Sequence, residues 1–264
     1  MKTDETKNET KIEIQNLTMA YGSYVVMRDI AASVRRGSIF VIMGNSGSGK
    51  STLLRHILGL QRPAQGDVLY DGRSFWRMDD EARQAQLRKY GVLFQSGALW
   101  SSMTLAENVA LPLLEYTDWS TSDREDIVRL KLALVGLSGF EDYYPAEISG
   151  GMRKRAGLAR AMALDPEILF FDEPSAGLDP ITSRNLDQLI LELRDSLGAT
   201  IVVVTHELAS IFMIADDSIF LDADTKTMRA QGNPNELLKH SNDAKLRAFL
   251  TRGEFSAATQ PTTS

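Results

Sequence analysis

Eight small or charged residues with the spacing Gly-x-x-x-x-Gly-Lys-Ser form the clearest chemical feature of the sequence: Gly44, Asn45, Ser46, Gly47, Ser48, Gly49, Lys50 and Ser51, with Thr52 following. Five apolar residues, 39–43, precede this phosphate loop and predict a buried strand, while apolar residues at helical spacing follow it. The N–H groups and the dipole of a helix N-terminus attract anions. The sequence therefore predicts a polyphosphate site in which Lys50 meets the β- and γ-phosphates and the Ser51 hydroxyl ligates Mg²⁺.

Two adjacent carboxylates, Asp172 and Glu173, directly follow the apolar segment Ile168-Leu169-Phe170-Phe171, which predicts a second buried strand. In open α/β sheets the ligand lies at the carboxyl ends of the strands, so we expect both side chains to face the cleft that contains Lys50. Asp172 is then placed to hold Mg²⁺ through water. Glu173, one residue farther on, can act as the general base that polarises a water for attack on a γ-phosphate.

A third apolar segment, Ile201-Val202-Val203-Val204, ends two residues before His206. This histidine can donate a hydrogen bond to the γ-phosphate or orient the attacking water, although a lone histidine can also be a satisfied core residue. Before this segment, apolar residues form one helical stripe that Gly198 closes: Leu186, Leu189, Ile190, Leu193 and Leu197. A strand, a helix and a strand in this order predict a right-handed crossover in a parallel sheet.

The composition is that of an ordinary globular protein, with 264 residues, of which 43% are apolar and 24% are charged. No apolar run in the sequence approaches the ~20 residues that a membrane-spanning helix needs. Because the chain has no cysteine, disulfides, thiolate catalysis and cysteine metal sites are excluded. The net charge of −6 argues against general nucleic-acid binding, so we expect no nucleic-acid partner.

Alternating apolar and polar residues indicate a second, smaller sheet. The segments 11–17, 23–33 and 65–70 predict antiparallel strands, and the last of them ends in an Asp71-Gly72 turn. Residues 1–11 are polar and charged without an apolar stretch, which predicts a disordered leader rather than a secretion signal.

A helical insertion is predicted over about residues 97–163, because apolar residues recur at helical spacing in the segments 105–114, 123–135 and 151–164. Ser122 is the expected N-terminal cap of the middle helix. The sequence thus indicates an α/β core domain over residues 12–240 that contains this insertion. A C-terminal extension, 241–264, follows and is expected to be partly disordered.

Seven motifs in the same order resemble those of the ATP-binding cassette (ABC) family, and the resemblance covers roughly residues 10–240. They are Tyr21, the phosphate loop, Gln95, Ile148-Ser149-Gly150-Gly151-Met152, Asp172-Glu173, Ser175-Ala176-Gly177-Leu178-Asp179 and His206. The resemblance implies a P-loop NTPase core with a mostly parallel sheet, and an ATPase that uses ATP and Mg²⁺. It further implies that Tyr21 stacks on adenine, a packed surface aromatic being the alternative. It also implies that Gln95 touches Mg²⁺ near a membrane partner.

Residues 149–152 resemble the family signature, except that Met152 replaces the usual glutamine. A serine and two glycines at a helix N-terminus form a second anion site, but one chain needs only one γ-phosphate site. The second site therefore predicts a head-to-tail homodimer in which Ser149 and its neighbours bind the ATP of the other subunit. The resemblance implies that the loop ending at Asp179 crosses to that subunit.

The residues after the signature, Arg153-Lys154-Arg155, and those around Gln95 are similar to one branch of the family. This branch comprises the ATPases of mammalian-cell-entry-type lipid transporters. The resemblance implies an ATPase at the cytoplasmic face of the inner membrane that energises phospholipid transport. The implied partners are an integral membrane permease, a periplasmic lipid-binding ring protein and a small cytoplasmic accessory protein. For residues 153–155 themselves, a solvated helix face is the alternative interpretation.

Other functions stay open on the sequence alone. An amino-acid or metal importer would use the same motifs. A soluble cassette ATPase of DNA repair or translation would also use them, although such proteins usually carry a long coiled-coil insertion or two cassettes. A small-molecule kinase would leave the Ser-Gly-Gly signature without a purpose. The segment 96–103 is predicted to expose Leu99, Trp100 and Met103 as a docking surface for the permease, and the alternative is that they pack inside the insertion.

Overall fold

The computed structural model describes residues 9–253. The first eight residues of the predicted leader and the last eleven residues of the predicted extension lie outside this range. Strand β1 (Thr10–Tyr21) already begins at Thr10, so the end of the predicted leader is part of a sheet. Between residues 9 and 253, no helix combines the length and the apolar character that crossing a membrane requires.

The other strands, in chain order, are β2 (Tyr24–Arg35), β3 (Ile39–Gly44), β4 (Gln65–Tyr70), β5 (Arg73–Ser74), β6 (Tyr90–Leu93), β7 (Ile168–Asp172), β8 (Thr200–Val204), β9 (Asp217–Asp222) and β10 (Thr227–Gly232). The helices are α1 (Lys50–Ile57), α2 (Asp80–Leu87), α3 (Leu105–Tyr116), α4 (Thr121–Leu134), α5 (Gly150–Ala161), α6 (Pro180–Leu197), α7 (Leu208–Ile214), α8 (Pro234–His240) and α9 (Ala244–Leu250). Short 3₁₀ turns lie at Phe75–Arg77 and Pro145–Glu147.

A mostly parallel sheet with the order β10-β9-β3-β8-β7-β6 confirms the predicted fold class. The pairings from β9 to β6 are parallel, and β10 pairs antiparallel with β9. In the register, Val204 of β8 lies between Ile42 of β3 and Asp172 of β7. The carboxyl ends of these three strands therefore meet at one edge of the sheet, where a ligand of an open α/β sheet is expected.

The smaller sheet has the order β2-β1-β4-β5 and is antiparallel, as predicted, with a turn at Asp71-Gly72 between β4 and β5. Its apolar side chains share one cluster with α1 and with Phe40 and Ile42 of β3. The alternate side chains of β3, such as Val41, belong to a second cluster that includes the helical insertion. This period of two shows that β3 is buried on both faces, which explains its continuous apolar run.

Lys11 of β1 connects the two sheets through ion pairs. Its side chain is buried, and its Nζ atom pairs with Asp71 at 2.8 Å and with Glu167, which directly precedes β7. Lys89, just before β6, pairs with the same Glu167 at 3.0 Å. These bonds hold the pKa of Glu167 below its ordinary value, Lys11 being the main cause. The smaller sheet is thus tied to the beginning of the strand that carries the carboxylate pair.

The helical insertion is confirmed, with α3, α4 and α5 packed on the cluster that contains Val41. Two local predictions were wrong. The cap of α4 is Ser120, whose Oγ accepts from Asp123 N at 3.2 Å, rather than Ser122, because the helix begins two residues earlier. Leu197 is exposed rather than part of the apolar stripe, because it lies in the last turn of α6, where Gly198 ends the helix in a left-handed conformation.

Candidate functional site

The phosphate loop connects the end of β3 to the start of α1, as the motif requires. Gly44 has a φ of +153°, and a Cβ atom there would lie 2.6 Å from both Leu221 O and Ser48 Oγ, so only glycine fits. Gly49, with a φ of +82°, begins α1 without a side-chain cap. The Ser48 hydroxyl is buried and has no hydrogen-bond partner. The loop therefore has the free donors and the close backbone approach that a bound polyphosphate needs.

Lys50 lies under this loop with its side chain 7% exposed. Its Nζ atom donates to Gly44 O at 2.9 Å and to Asn45 O at 3.1 Å, and lies 3.9 Å from Glu173 Oε1. Burial lowers the pKa of Lys50, while the nearby carboxylates of Glu173 and Asp172 oppose this shift. The ammonium group is thus held at the centre of the site, where a phosphate would add opposite charge.

Ser51 and Asp172 are brought together from α1 and β7. The Ser51 hydroxyl donates to Asp172 Oδ1 at 2.9 Å. A hydroxyl and a carboxylate next to a phosphate loop fit Mg²⁺, which takes oxygen ligands and is held by one or two carboxylates together with substrate phosphates. The donor set is therefore consistent with the predicted magnesium ligands Ser51 and Asp172.

Glu173 directly follows β7 in a left-handed backbone conformation, with a φ of +50°. Its N–H donates to Val204 O at 2.8 Å, which extends the sheet pairing by one residue. Its Oε1 atom lies 2.8 Å from Nδ1 of the half-exposed His206, and its Oε2 atom is buried without a partner. One carboxylate oxygen is thus oriented by His206, and the other has a lone pair available for the proton of a water.

Three other predicted site residues, Tyr21, Gln95 and Asp179, lie at the surface. The Tyr21 hydroxyl donates to Gln61 Oε1 at 3.1 Å, and its half-exposed ring is accessible for stacking. Gln95 is exposed two residues after the end of β6, whose Leu93 pairs with Phe171. Asp179 caps α6 through two backbone N–H groups at 3.0 Å, and the hydrogen bond from the Thr182 hydroxyl, together with these backbone bonds, lowers its pKa.

The signature lies at the start of α5, where Ser149 is the cap and its Oγ accepts from Met152 N at 3.2 Å. Gly150 is half-buried, and Gly151 faces α6 so closely that a Cβ atom would lie 2.6 Å from Thr182 Cγ2. Ser149 itself is exposed. The exposed cap fits a residue that binds a ligand from another subunit.

The alternative interpretation of Arg153-Lys154-Arg155 as a solvated face is wrong. Arg153 donates to Ile148 O at 2.8 Å, Arg155 to Val135 O at 3.4 Å, and Lys154 to Ala176 O at 2.6 Å. Lys154 is buried, and sequence reasoning missed it as a site residue. A signal was present, because residues three and four apart share a helix face and Lys154 lies between the buried Gly151 and Leu158.

The phosphate loop follows a parallel strand, and the carboxylate pair lies two strands away, an arrangement that defines a P-loop NTPase. The helical insertion with its Ser-Gly-Gly cap further restricts the kind of P-loop NTPase to which the chain can belong. The profile of the family described as ABC transporter matches residues 27–176, and the chain belongs to this family. It is an ATP-binding ATPase domain.

Relatives of this chain include the intermembrane phospholipid transport system ATP-binding protein MlaF of Haemophilus influenzae. That protein is 40% identical over 247 residues, which cover 94% of this chain and 92% of the relative. MlaF of Escherichia coli K12 is 41% identical over 90% of this chain and 88% of its own. The probable ribonucleotide transport ATP-binding protein mkl of Mycobacterium tuberculosis is 42% identical over 90% of this chain, but the match spans 66% of that relative's length.

Solved structures agree with the fold. The structure of cbiO1 from Clostridium perfringens, part of the ABC transporter complex cbiONQ, has a TM-score of 0.80 and 25% identity, covering 88% of this chain and 92% of its own. The dimeric structure of the bacterial ABC transporter cassette MJ0796 has a TM-score of 0.76 and 31% identity, covering 84% of this chain and 98% of its own.

Proposed function

We propose that this chain is the ATP-hydrolysing subunit of a transporter that moves phospholipid between membranes. The observation that supports this most is the likeness to the MlaF proteins, which extends over 92% of the Haemophilus relative and thus over nearly the whole of a phospholipid-transport ATPase. In this proposal the subunit sits on the cytoplasmic face of the inner membrane against an integral permease. A periplasmic lipid-binding ring protein and a small cytoplasmic accessory protein complete the proposed system.

Within the site, the proposal assigns a task to each side chain. Lys50 and the loop N–H groups bind the β- and γ-phosphates of ATP, and Tyr21 stacks on the adenine. Ser51 and Asp172, with Gln95, would hold Mg²⁺, which neutralises phosphate charge when bound. Glu173 accepts a proton from the attacking water through its unpartnered Oε2 atom, while His206 holds the Oε1 atom at 2.8 Å.

The proposed active form is a head-to-tail homodimer, in which the exposed cap Ser149 of one subunit contacts the ATP bound by the other. The dimeric structure of MJ0796, with 31% identity, supports such an arrangement. The segment 175–179 would lie at the same interface, because it packs directly against α5 through Lys154.

Ser149→Arg should act in trans. In a mixed dimer that carries Ser149→Arg in one subunit and Lys50→Ala in the other, both changes fall in the same ATP site, so the second site has an intact phosphate loop and an intact signature and should keep working. When both changes are in the same subunit, each of the two sites carries one of them, so ATP turnover should fall to background. ATPase rates of the two mixed dimers, purified through two different tags, measure this difference.

Ser120→Arg is the matched control, since Ser120 caps α4 in the same insertion and its loss costs a similar helix cap, about 1 kcal/mol. In place of Ser149→Arg, it should give the same ATP turnover in both mixed dimers. Equal activity of the two Ser149→Arg dimers would contradict the head-to-tail arrangement.

The permease is proposed to dock at the segment that follows Gln95. The structure corrects part of the prediction, because Leu99 and Met103 are half-buried and Leu99 packs against the core. Trp100 alone of the three is exposed, at 61%. Its backbone N–H donates to Asn108 Oδ1 at 2.8 Å and its carbonyl accepts from Asn108 Nδ2 at 3.1 Å. The buried Asn108 thus fixes the backbone and leaves the indole ring outward.

A cleft of about 310 Å³ adjoins this segment between α2, α3 and α5. Arg160 lines the cleft and donates to Gly97 O and Ala98 O, so it connects the cleft to the loop that presents Trp100. Tyr116 and Arg88 line it as well, with the guanidinium 5.2 Å from the centre of the tyrosine ring. An apolar edge with cationic walls is suited to a short amphipathic helix of the permease.

Trp100→Glu should release the chain from its permease and leave ATP binding in solution intact, because a carboxylate replaces the exposed anchor. The tagged chain is purified from detergent-solubilised membranes, and the bound partner and its lipids are analysed. The wild-type protein should retain a multi-pass protein together with phospholipid, and the variant should retain neither.

Trp119→Glu is the control, since Trp119 is a second exposed indole of the insertion and lies outside the segment 96–103. It should still retain the partner. If Trp100→Glu retains the partner too, the docking surface lies elsewhere. A wild-type preparation with a permease but no phospholipid would favour an amino-acid or metal importer, and a preparation with no membrane protein would favour a soluble cassette ATPase.

A further inference from the structure

Lys154 is a buried lysine whose bonds go to the backbone rather than to a carboxylate. Its side chain is 6% exposed, and its Nζ atom donates to Ala176 O at 2.6 Å and to Glu173 O at 3.4 Å. Burial lowers its pKa, and the charge of Glu173 opposes that shift. A lysine is costly to bury, so its position between two carbonyl oxygens calls for an explanation beyond packing.

Helix α5, which carries Lys154, also begins with the signature and contacts the segment after Gln95 and helix α6. Arg160 donates to Gly97 O at 3.0 Å in the segment after Gln95. Gly157 lies so close to that segment that a Cβ atom would be 2.9 Å from Gly97 O. Gly151 makes a similarly close approach to Thr182 of α6. The helix is thus in firm contact with the elements on both sides of the ATP site.

The backbone at Glu173 needs such external support. A left-handed conformation is unfavourable for a residue with a side chain, and it persists where surrounding bonds hold it. The N–H of Glu173 is held by Val204 O. Its carbonyl accepts from Ala176 N at 3.2 Å and from Lys154 Nζ, so Lys154 bonds both ends of the turn from Glu173 to Ala176.

We propose that Lys154 is a positioning residue: it fixes the turn 173–176 to the signature helix, so that the Glu173 carboxylate is aimed at the attacking water. This inference rests on the proposed role of Glu173 as the general base. It also gives the chain a direct link between its own base and its own signature, which serves the other subunit's ATP. Lys154 acts through its hydrogen-bond donors, because both of its acceptors are neutral carbonyls.

The experiment compares Lys154→Met, Lys154→Gln and Lys154→Asn in the full chain by steady-state ATP hydrolysis. Methionine keeps an unbranched side chain, one heavy atom shorter than lysine, and removes the donors, so kcat should fall about 10- to 100-fold, the effect of a displaced reacting group. KM for ATP should stay within about threefold, because Lys50 and the phosphate loop are untouched. Glutamine keeps an N–H₂ donor one atom shorter than lysine and should recover a large part of kcat.

Lys154→Asn keeps the proposal testable if the methionine variant misfolds. Asparagine has the same amide as glutamine but is one methylene shorter, so it should lose the rate that glutamine keeps. Lys131→Met is the stability control, since Lys131 is a second buried lysine of the insertion and pairs with Asp165 away from the turn 173–176. It should lower the melting temperature without lowering kcat.

Three results would overturn the proposal. Lys154→Met could lose no more kcat than Lys131→Met, its loss could lie in KM, or glutamine could recover nothing, which would mean that the charge matters rather than the donors. Glu173→Gln in the same assay distinguishes a failure of the base assignment from a failure of the role of Lys154. If Glu173→Gln keeps its turnover, the assignment of the base fails. If Glu173→Gln is inactive while Lys154→Met is normal, only the role of Lys154 fails.

Discussion

Lys50→Ala should abolish tight ATP binding. The variant removes a buried cation that the loop carbonyls of Gly44 and Asn45 hold in place, 3.9 Å from Glu173 Oε1. Loss of one partner of a buried, hydrogen-bonded charge pair costs roughly 2–5 kcal/mol. The Kd for ATP should therefore rise about 30-fold or more. Titration with a fluorescent ATP analogue, confirmed by calorimetry with ATP, measures the change.

The matched control is Lys239→Ala, which removes an equal charge from an exposed site on α8, where Lys239 pairs with Glu236. It should leave the Kd for ATP unchanged. An unchanged Kd in Lys50→Ala, in a protein with the wild-type melting temperature, would mean that the loop 44–51 does not hold the phosphates.

Glu173→Gln should bind ATP and scarcely hydrolyse it. Glutamine keeps the size of the side chain but cannot accept a proton from water, and loss of a general base typically lowers the rate about 10²- to 10⁴-fold. Because bound ATP is no longer consumed, the ATP-bound dimer should accumulate. Phosphate release measures the rate, and size-exclusion chromatography with ATP measures the dimer.

Glu207→Gln tests whether the effect belongs to this position alone. Glu207 is the next carboxylate near His206, at 3.7 Å from Nε2, but it follows β8 rather than β7. Its amide variant should hydrolyse ATP at close to the normal rate. Near-normal turnover in Glu173→Gln would assign the proton transfer to another group.

Much of the site could be predicted because it depends on strand ends. Three apolar runs, each followed by polar residues, were enough to place Lys50, Glu173 and His206 at one edge of a parallel sheet. In the structure, Glu173 Oε1 lies within 4 Å of both Lys50 Nζ and His206 Nδ1. The periodicity of apolar residues predicts which residues are buried in strands. Because ligands of open α/β sheets lie at the carboxyl ends of the strands, the polar residues that follow each strand are expected to meet there.

The parts that could not be predicted depend on contacts between elements distant in the sequence. Nothing local shows that Lys154 reaches the carbonyl of Ala176, 22 residues away. The outward direction of Trp100 depends on Asn108, whose amide bonds the backbone N–H and carbonyl of Trp100 although the sequence gives it no mark beyond that of an ordinary helix residue. Side-chain bonds to backbone carbonyls leave no periodic trace, so residue spacing cannot reveal them.

The buried ammonium of Lys11 has a consequence for how the molecule opens. It bonds at once to the turn of the smaller sheet, through Asp71, and to Glu167 at the foot of β7. Separating the layers would break both ion pairs of this buried lysine, which makes a partial opening between them costly. We therefore expect the N-terminal strand and the strand that leads to Asp172 and Glu173 to form one cooperative unit of native-state hydrogen exchange, whose amides gain or lose protection together.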